Sequence, residues 1–279
     1  MALRIVTDST CDLPEETIRE HRITVVPVLI STQAHEYRDG IDLSRSEFYA
    51  RLPHLKPVPT TAAPSPEAFR VAYQQLAEEG ATQVLSIHMS HKLSAVVDVA
   101  ALGARETSDV PVTVFDSRQL SLGTGYQVLA AAQAAAAGSS LDEVLSLLEA
   151  QIARTHVFAA LDTLEFIRRG GRLNGPISAL GNLLQIKPLL KMYDGNPAAE
   201  RLRTRTSAMK RLQELLAQHA PYEKVAILHS GARERAQAML EQVRPLLPPG
   251  DPWIEEINPI LGAHLGPGVI GFACIALQK

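Results

Sequence analysis

The sequence predicts an α/β protein of two domains, an N-terminal doubly wound parallel sheet followed by a C-terminal α+β domain with a mixed sheet. Three observations carry this. Short β-branched runs alternate with amphipathic helical segments through the first half of the chain. The alternation gives way near residue 157 to a strand–turn–strand signal. The 279 residues also exceed what one ordinary domain needs. The expected division is 1–156 and 157–279.

The elements follow in order. LRIVTDST reads as a strand entering a polar loop, and DLPEETIREH as a helix opened by Pro14 and Glu15. ITVVPVLIST is a second strand, and short strands and turns fill the stretch to about Leu55. PEAFRVAYQQLAEEG is an amphipathic helix stopped at Gly80. ATQVLSIHMS is a strand, LSAVVDVAALGARE a helix and VPVTVFDS a strand. The alanine-rich run before Gly138 is a helix, and Ser140 with Glu143 forms a capping box for the next one. THVFAALDTLEF leads to a basic glycine turn, RRGGR, and a helix over PISALGNLLQ. A hairpin with Asp194-Gly195 at its tip follows. A helix, the strand KVAILHSG, the helix RERAQAMLEQVRPLL and two terminal strand-like runs complete the chain.

Composition narrows the function. Hydrophobic residues make up 46% and charged residues 20%, a globular balance that excludes a disordered tail or a fibre. The net charge of −3 argues against a nucleic-acid binder. Cys11 and Cys274 read as reduced thiols, and no signal-peptide pattern opens the chain, so a cytoplasmic protein is expected. No apolar run is long enough for a membrane span. Charge is unevenly spread: residues 1–153 hold 11 basic against 19 acidic groups, and residues 154–279 hold 16 against 11. Residues 168–211 alone carry ten basic and two acidic groups. That segment reads either as a solvated basic face or as a docking surface for an acidic partner or phosphate.

Ligands of doubly wound sheets gather at the carboxyl ends of the strands. Three polar loops fall there, TDST at 7–10, HMSHKLS at 88–94 and DSRQLSLGTG at 116–125. PTTAAPSP at 59–66 adds a fourth dense in hydroxyls. Hydroxyls and amides at helix starts favour an anionic head group, although single hydroxyls there most often cap helices. Ser94, at the handover from strand to helix, is the leading candidate. His264 lies between glycines in GAHLGPGVIG, read as a strand end. No phosphate-binding glycine loop, nucleophile elbow or zinc-protease motif is present. His88 and His91 lack clustered carboxylates, so no metal is expected. Ser94, Asp116 and His264 have the residue types of an acyl-transfer triad.

With these residues laid out, the chain resembles the bacterial DegV family. The likeness rests on TDST, PTTAAPSP, KLS at 92–94, DSRQLSLGTG, LEFIRRGGRLNG at 164–175, LLQIKPLL at 183–190 and GAHLGPGVIG at 262–271. It implies a non-catalytic protein that takes a long-chain fatty acid such as palmitate as its ligand, without a cofactor. In some members the acid is presented to a separate fatty acid kinase. The resemblance places the carboxylate on Thr61 and Ser94, with His264, Ala95 and Ser121 at the ligand. It places Arg168, Arg169 and Arg172 near the meeting point with the kinase, and Arg203 joins them in the same basic segment. Two departures mark this sequence: Ala62 and Ala63 replace polar residues of the family's T-S-Q-P-S loop, and Ala95 and Val97 replace the glycine and aromatic of its L-S-G-T-Y loop. The alternative function is a serine hydrolase or acyltransferase using Ser94 and His264. A DNA-associated regulator has only the basic segment in its favour, and the overall acidic balance opposes it.

Overall fold

A computed structural model describes residues 2–171 and 186–278. Among these residues the strands are β1 (Leu3–Asp8), β2 (Thr24–Val26), β3 (Leu29–Ser31), β4 (Glu36–Arg38), β5 (Thr60–Ala62), β6 (Gln83–His88), β7 (Val112–Asp116), β8 (Thr155–Ala160), β9 (Lys187–Tyr193), β10 (Asn196–Leu202), β11 (Tyr222–His229), β12 (Ile254–Glu256) and β13 (Ile270–Ala276). The helices are α1 (Glu15–Glu20), α2 (Arg45–Arg51), α3 (Pro66–Glu78), α4 (Val96–Arg105), α5 (Leu122–Ala136), α6 (Leu141–Ile152), α7 (Glu165–Arg169), α8 (Arg205–His219), α9 (Arg233–Val243) and α10 (Pro259–Leu265). The helix expected over PISALGNLLQ lies outside the described residues.

The chain divides into two compact units, and not at one point. Met1–Leu29 and Ala62–Ala153 form the first, whereas Ile30–Thr61 and Arg154–Lys279 form the second. The sequence reading, with its single boundary after residue 156, assigned 30–61 to the first. The reason is visible at Tyr49, whose hydroxyl donates to the Ile257 carbonyl at 2.9 Å, 208 positions along the chain. Pairings at that separation leave no periodic trace in a sequence.

The first unit is built on a parallel sheet of order β2-β1-β6-β7. The chain steps from β1 to β2 on one side, then returns to lay β6 on the other side of β1. That reversal makes the carboxyl ends of β1 and β6 a switch point, the place where ligands of such sheets gather. Pro27 accounts for one departure from expectation. It supplies no N–H to a ladder, so ITVVPVLIST is divided into β2 and β3 instead of running as one strand. Ser65 caps α3, its hydroxyl accepting from Ala68 N at 3.1 Å, with Pro66 in the first turn where a missing N–H costs nothing. The capping box at α6 forms as the sequence indicates, the Glu143 carboxylate taking Ser140 N at 2.7 Å.

Helix α5 carries no charge and is buried at every position from Leu122 to Leu129. Its closest approach is at Gly125, where a Cβ would overlap the Cys11 carbonyl oxygen and sit 3.1 Å from Leu13. The chain needs glycine there for α5 to press on the turn that follows β1.

The second unit holds a six-stranded mixed sheet, order β10-β9-β8-β13-β11-β12, in which only β11 and β12 run parallel. The β9–β10 hairpin turns at Asp194 and Gly195, with φ of 44° and 68°, the mirror-image turn that Asp-Gly favours. Phe158, Leu189, Leu212, Leu216, Ile227 and Phe272 are buried together on this sheet and its helices. A smaller sheet, order β4-β3-β5, carries Thr61 at the centre of β5.

Gly125→Ala is expected to destabilise the protein by about 1–3 kcal/mol, because the added methyl meets backbone instead of a side chain that can turn aside. A lowered thermal midpoint with an unchanged circular dichroism spectrum is the expected result.

Candidate functional site

In the first unit the polar loops gather as the switch point requires. β1 ends in Asp8, which is fully buried. Its carboxylate accepts from Thr10 N at 3.0 Å and from the Thr10 hydroxyl, and its other oxygen is 2.8 Å from His88 Nδ1. His88 Nε2 lies 2.7 Å from Ser86 Oγ, which also accepts from the Tyr73 hydroxyl at 2.8 Å. Burial pushes the Asp8 carboxyl up, yet the hydrogen bond and charge of His88 together with the Thr10 bonds outweigh it. The group is held below its ordinary value of 3.8. The network fixes the TDST turn, from which Ser9 Oγ accepts from Val28 N at 3.1 Å.

The HMSHKLS turn leaves β6 beside it. Ser90 N donates to the Gln119 carbonyl at 2.8 Å, and Ser94 N to the Ser90 carbonyl at 3.2 Å. Ser94 is half-buried and its Oγ accepts from Val96 N at 3.3 Å. The sequence reading began the helix at Ser94; the structure begins α4 at Val96, with Ala95 exposed at its N-cap and offering no side-chain cap. Ser121 stands at the N-cap of α5 with φ of 52°, 2% exposed, its hydroxyl donated to Asp12 at 2.5 Å. The Ser121 hydroxyl is therefore already committed to a carboxylate of the fold.

In the second unit Thr61 and His264 meet. Thr61 Oγ1 and His264 Nε2 are hydrogen-bonded at 2.8 Å, and both residues are half-buried. His264 occupies the last turn of α10, so its neighbourhood is a helix end, not the strand end expected from the glycines. Pro259 starts this helix early and Asn258 Oδ1 caps it by accepting from Leu261 N at 2.9 Å. The two glycines of the RRGGR segment serve different ends: a Cβ on Gly170 would collide with the His264 imidazole at Nδ1, and Gly171 has φ of 69°. The end of α7 therefore packs against α10 at Gly170, the residue that follows Arg168 and Arg169. Both arginines are exposed, and Arg169 pairs with Glu165 at 2.5 Å. Arg203 is exposed just before α8. Arg172 lies outside the described residues.

The residue types suggesting a Ser94–Asp116–His264 triad are placed otherwise. Asp116 Oδ2 accepts from His91 Nδ1, and Thr61 is the hydroxyl on His264 Nε2. The histidines three residues apart also separate: His88 is fully buried against Asp8, while the His91 side chain is 57% exposed. Among the described residues no three His, Cys, Asp or Glu side chains are grouped to hold a metal ion. No helix of the described residues is long and apolar enough to cross a membrane. The sequence reading missed His91 and Asp8 as organisers. The one available signal was that each lies in a polar loop at a strand end.

Hydroxyl-bearing loops at the switch point of one sheet, and a hydroxyl–imidazole pair at a helix end in the other unit, define a two-unit α/β protein. Its relatives agree on that architecture. A family model described as "Uncharacterised protein, DegV family" matches residues 2–277. A DegV domain-containing protein of Streptomyces coelicolor is 36% identical over 272 residues, 96% of each chain. The structure of a DegV family protein from Thermus thermophilus, described for its fatty acid binding, matches with a TM-score of 0.89 at 35% identity, over 99% of this chain and 100% of that one. That of DegV from Bacillus subtilis, described as a fatty acid binding protein, matches with a TM-score of 0.89 at 28% identity over 99% of each. The chain belongs to the DegV family.

The Asp8 network has a pH signature. Its folded value lies below the ordinary carboxyl value, so its contribution is present in full above about pH 5 and is lost as pH falls toward the lowered value. Replacing Asp8 with Ala leaves His88 and Thr10 without their buried acceptor and is expected to cost about 3–5 kcal/mol at neutral pH. Urea unfolding at pH 7 and pH 4 is expected to show a smaller acid loss in the variant than in the parent.

Proposed function

We propose that this protein binds a long-chain fatty acid and is not itself a catalyst. The observation that carries the reading is the Thr61–His264 hydrogen bond at 2.8 Å. With the imidazole donating from Nε2, the hydroxyl proton of Thr61 is available to a carboxylate oxygen. A carboxylate removed from water costs several kcal/mol unless donors meet it. Neutral donors meet it without an ion pair to break. The family resemblance assigns the second hydroxyl to Ser94. The relatives described as fatty acid binding support the ligand class. Each methylene buried in an apolar site contributes about 0.8 kcal/mol, so the tail supplies most of the affinity. Palmitate is the reference ligand for this reading.

The hydrolase alternative is the weaker. A nucleophilic serine needs a base on its own hydroxyl, and the hydroxyl on His264 is that of Thr61.

Arg168 and Arg203 are exposed cations open to an acidic partner, and a kinase that phosphorylates the bound carboxylate is the partner the family resemblance implies. Gly170, next along the chain from Arg168 and Arg169, abuts His264, which supports α7 as the docking element in this reading.

Native mass spectrometry of protein purified without added lipid tests the ligand. A non-covalent adduct with the mass of palmitate or oleate, lost on denaturation, is expected. Thr61→Ala with Ser94→Ala is expected to abolish retention with an unchanged melting curve. A parent protein that stays free of ligand after incubation with both acids would overturn the reading. Reversing Arg168 and Arg203 to Glu is expected to leave retention intact while lowering acyl-phosphate formation by an added fatty acid kinase at least tenfold. Loss of retention as well would make these arginines part of the lipid site.

A further inference from the structure

We infer that His91 is a positioning residue for Ser94, holding the turn that presents its hydroxyl by a clasp onto Asp116. The inference rests on the fatty-acid reading and adds a residue to that site.

The turn from Ser90 to Ser94 is tied down unevenly. Its inner side is fixed through Ser90, which is fully buried. The Ser90 carbonyl accepts from Leu93 N at 2.9 Å and Ser94 N at 3.2 Å, its hydroxyl accepts from Lys92 N at 3.3 Å, and its own N–H is taken by the Gln119 carbonyl at 2.8 Å. The outer side reaches solvent, and there His91 closes the turn onto the neighbouring strand end. Asp116 is the last residue of β7 and the register partner of His88 at the end of β6. Its Oδ1 accepts from Arg118 N at 2.8 Å, which fixes the carboxylate so that Oδ2 can receive His91 Nδ1–H. The loop after β7 is held in turn by Ser117 N on the His88 carbonyl at 2.9 Å. His91 therefore ties the exposed side of one strand-end loop to the carboxylate of the next, three residues before Ser94.

The magnitude is bounded by exposure. The His91 side chain is 57% exposed and that of Asp116 20%, and pairs of this kind contribute little to global stability. The clasp can bias the turn without holding up the fold, and its loss is worth about a three- to fivefold change in affinity.

The test compares the parent, His91→Ala and His91→Asn, whose side-chain amide can offer Asp116 a donor close to the place of Nδ1. The readouts are the affinity for cis-parinaric acid, the melting temperature, and hydrogen exchange of the amides from Lys92 to Val96. Expected are a three- to fivefold weaker affinity and faster exchange over that segment in His91→Ala, restoration of both in His91→Asn, and equal melting temperatures. Parent-like affinity in His91→Ala overturns the inference, as does an equal loss in both variants. A parent that binds no cis-parinaric acid overturns the fatty-acid reading itself, and with it any role of His91 toward a ligand; the exchange rates then still report whether the clasp orders the turn.

Discussion

An ionised carboxylate shut away from water must have its oxygens answered by donors, and the donors that answer Asp8 organise the first unit. Thr10 supplies a backbone and a hydroxyl donor from the turn just after β1, so that turn is wound tight. His88 supplies a ring nitrogen from the end of β6, which fixes the two strands end to end where the sheet topology reverses. The second ring nitrogen meets Ser86, whose Oγ accepts from the Tyr73 hydroxyl on α3. Each step satisfies a buried polar atom that would otherwise cost free energy. The chain of bonds runs from a helix, through a central strand, to the loop that follows β1.

The second unit solves a related problem by close packing. His264 is placed by steric fit: α10 is capped early by Asn258, and Gly170 removes the side chain that would displace the ring. Tyr49 lies against Gly262 on α10 and spends its hydroxyl on Ile257, which commits the segment from 30 to 61 to this unit and delivers Thr61 to the imidazole. Discontinuity in the chain is thus the means by which a β-strand residue near position 60 reaches a histidine some 200 positions later.

These two devices explain what the sequence disclosed and what it withheld. Local chemistry was legible: the capping box at Ser140 and Glu143, the Asp194-Gly195 turn, the alternation of β-branched and amphipathic runs, and the clustering of hydroxyl loops at strand ends. Each of these is decided within a few residues. What lay hidden depends on long-range pairing. Asp8 and His88 are 80 positions apart, Tyr49 and Ile257 208, and no period links them. The single-boundary division failed for that reason. His264 was misplaced because the glycine-rich GAHLGPGVIG run reads as a strand end, whereas Gly262 lies within α10 and serves close approach to Tyr49. Thr61 and His264 were both singled out from sequence, but their direct contact was not.

On the proposed reading, the charge distribution bears on why hydroxyls, and not arginines, would suit a head group. Several cations of the 168–211 segment already have carboxylate partners. Asp162 receives Arg205 and Arg235, and Glu200 receives Lys191 and Arg211, so two carboxylates engage four cations. The Glu200 carboxyl is held down to about 2, the Arg211 hydrogen bond being the largest cause. A ligand carboxylate recruited by these cations would have to displace an internal carboxylate of equal charge, with no net gain in ion pairing. Thr61 and His264 offer donors without that competition. Recognition by neutral donors is weaker per contact than recognition by a guanidinium. It therefore leaves discrimination to whatever else the ligand buries, which favours an acid with a long apolar tail over a short one carrying the same head group.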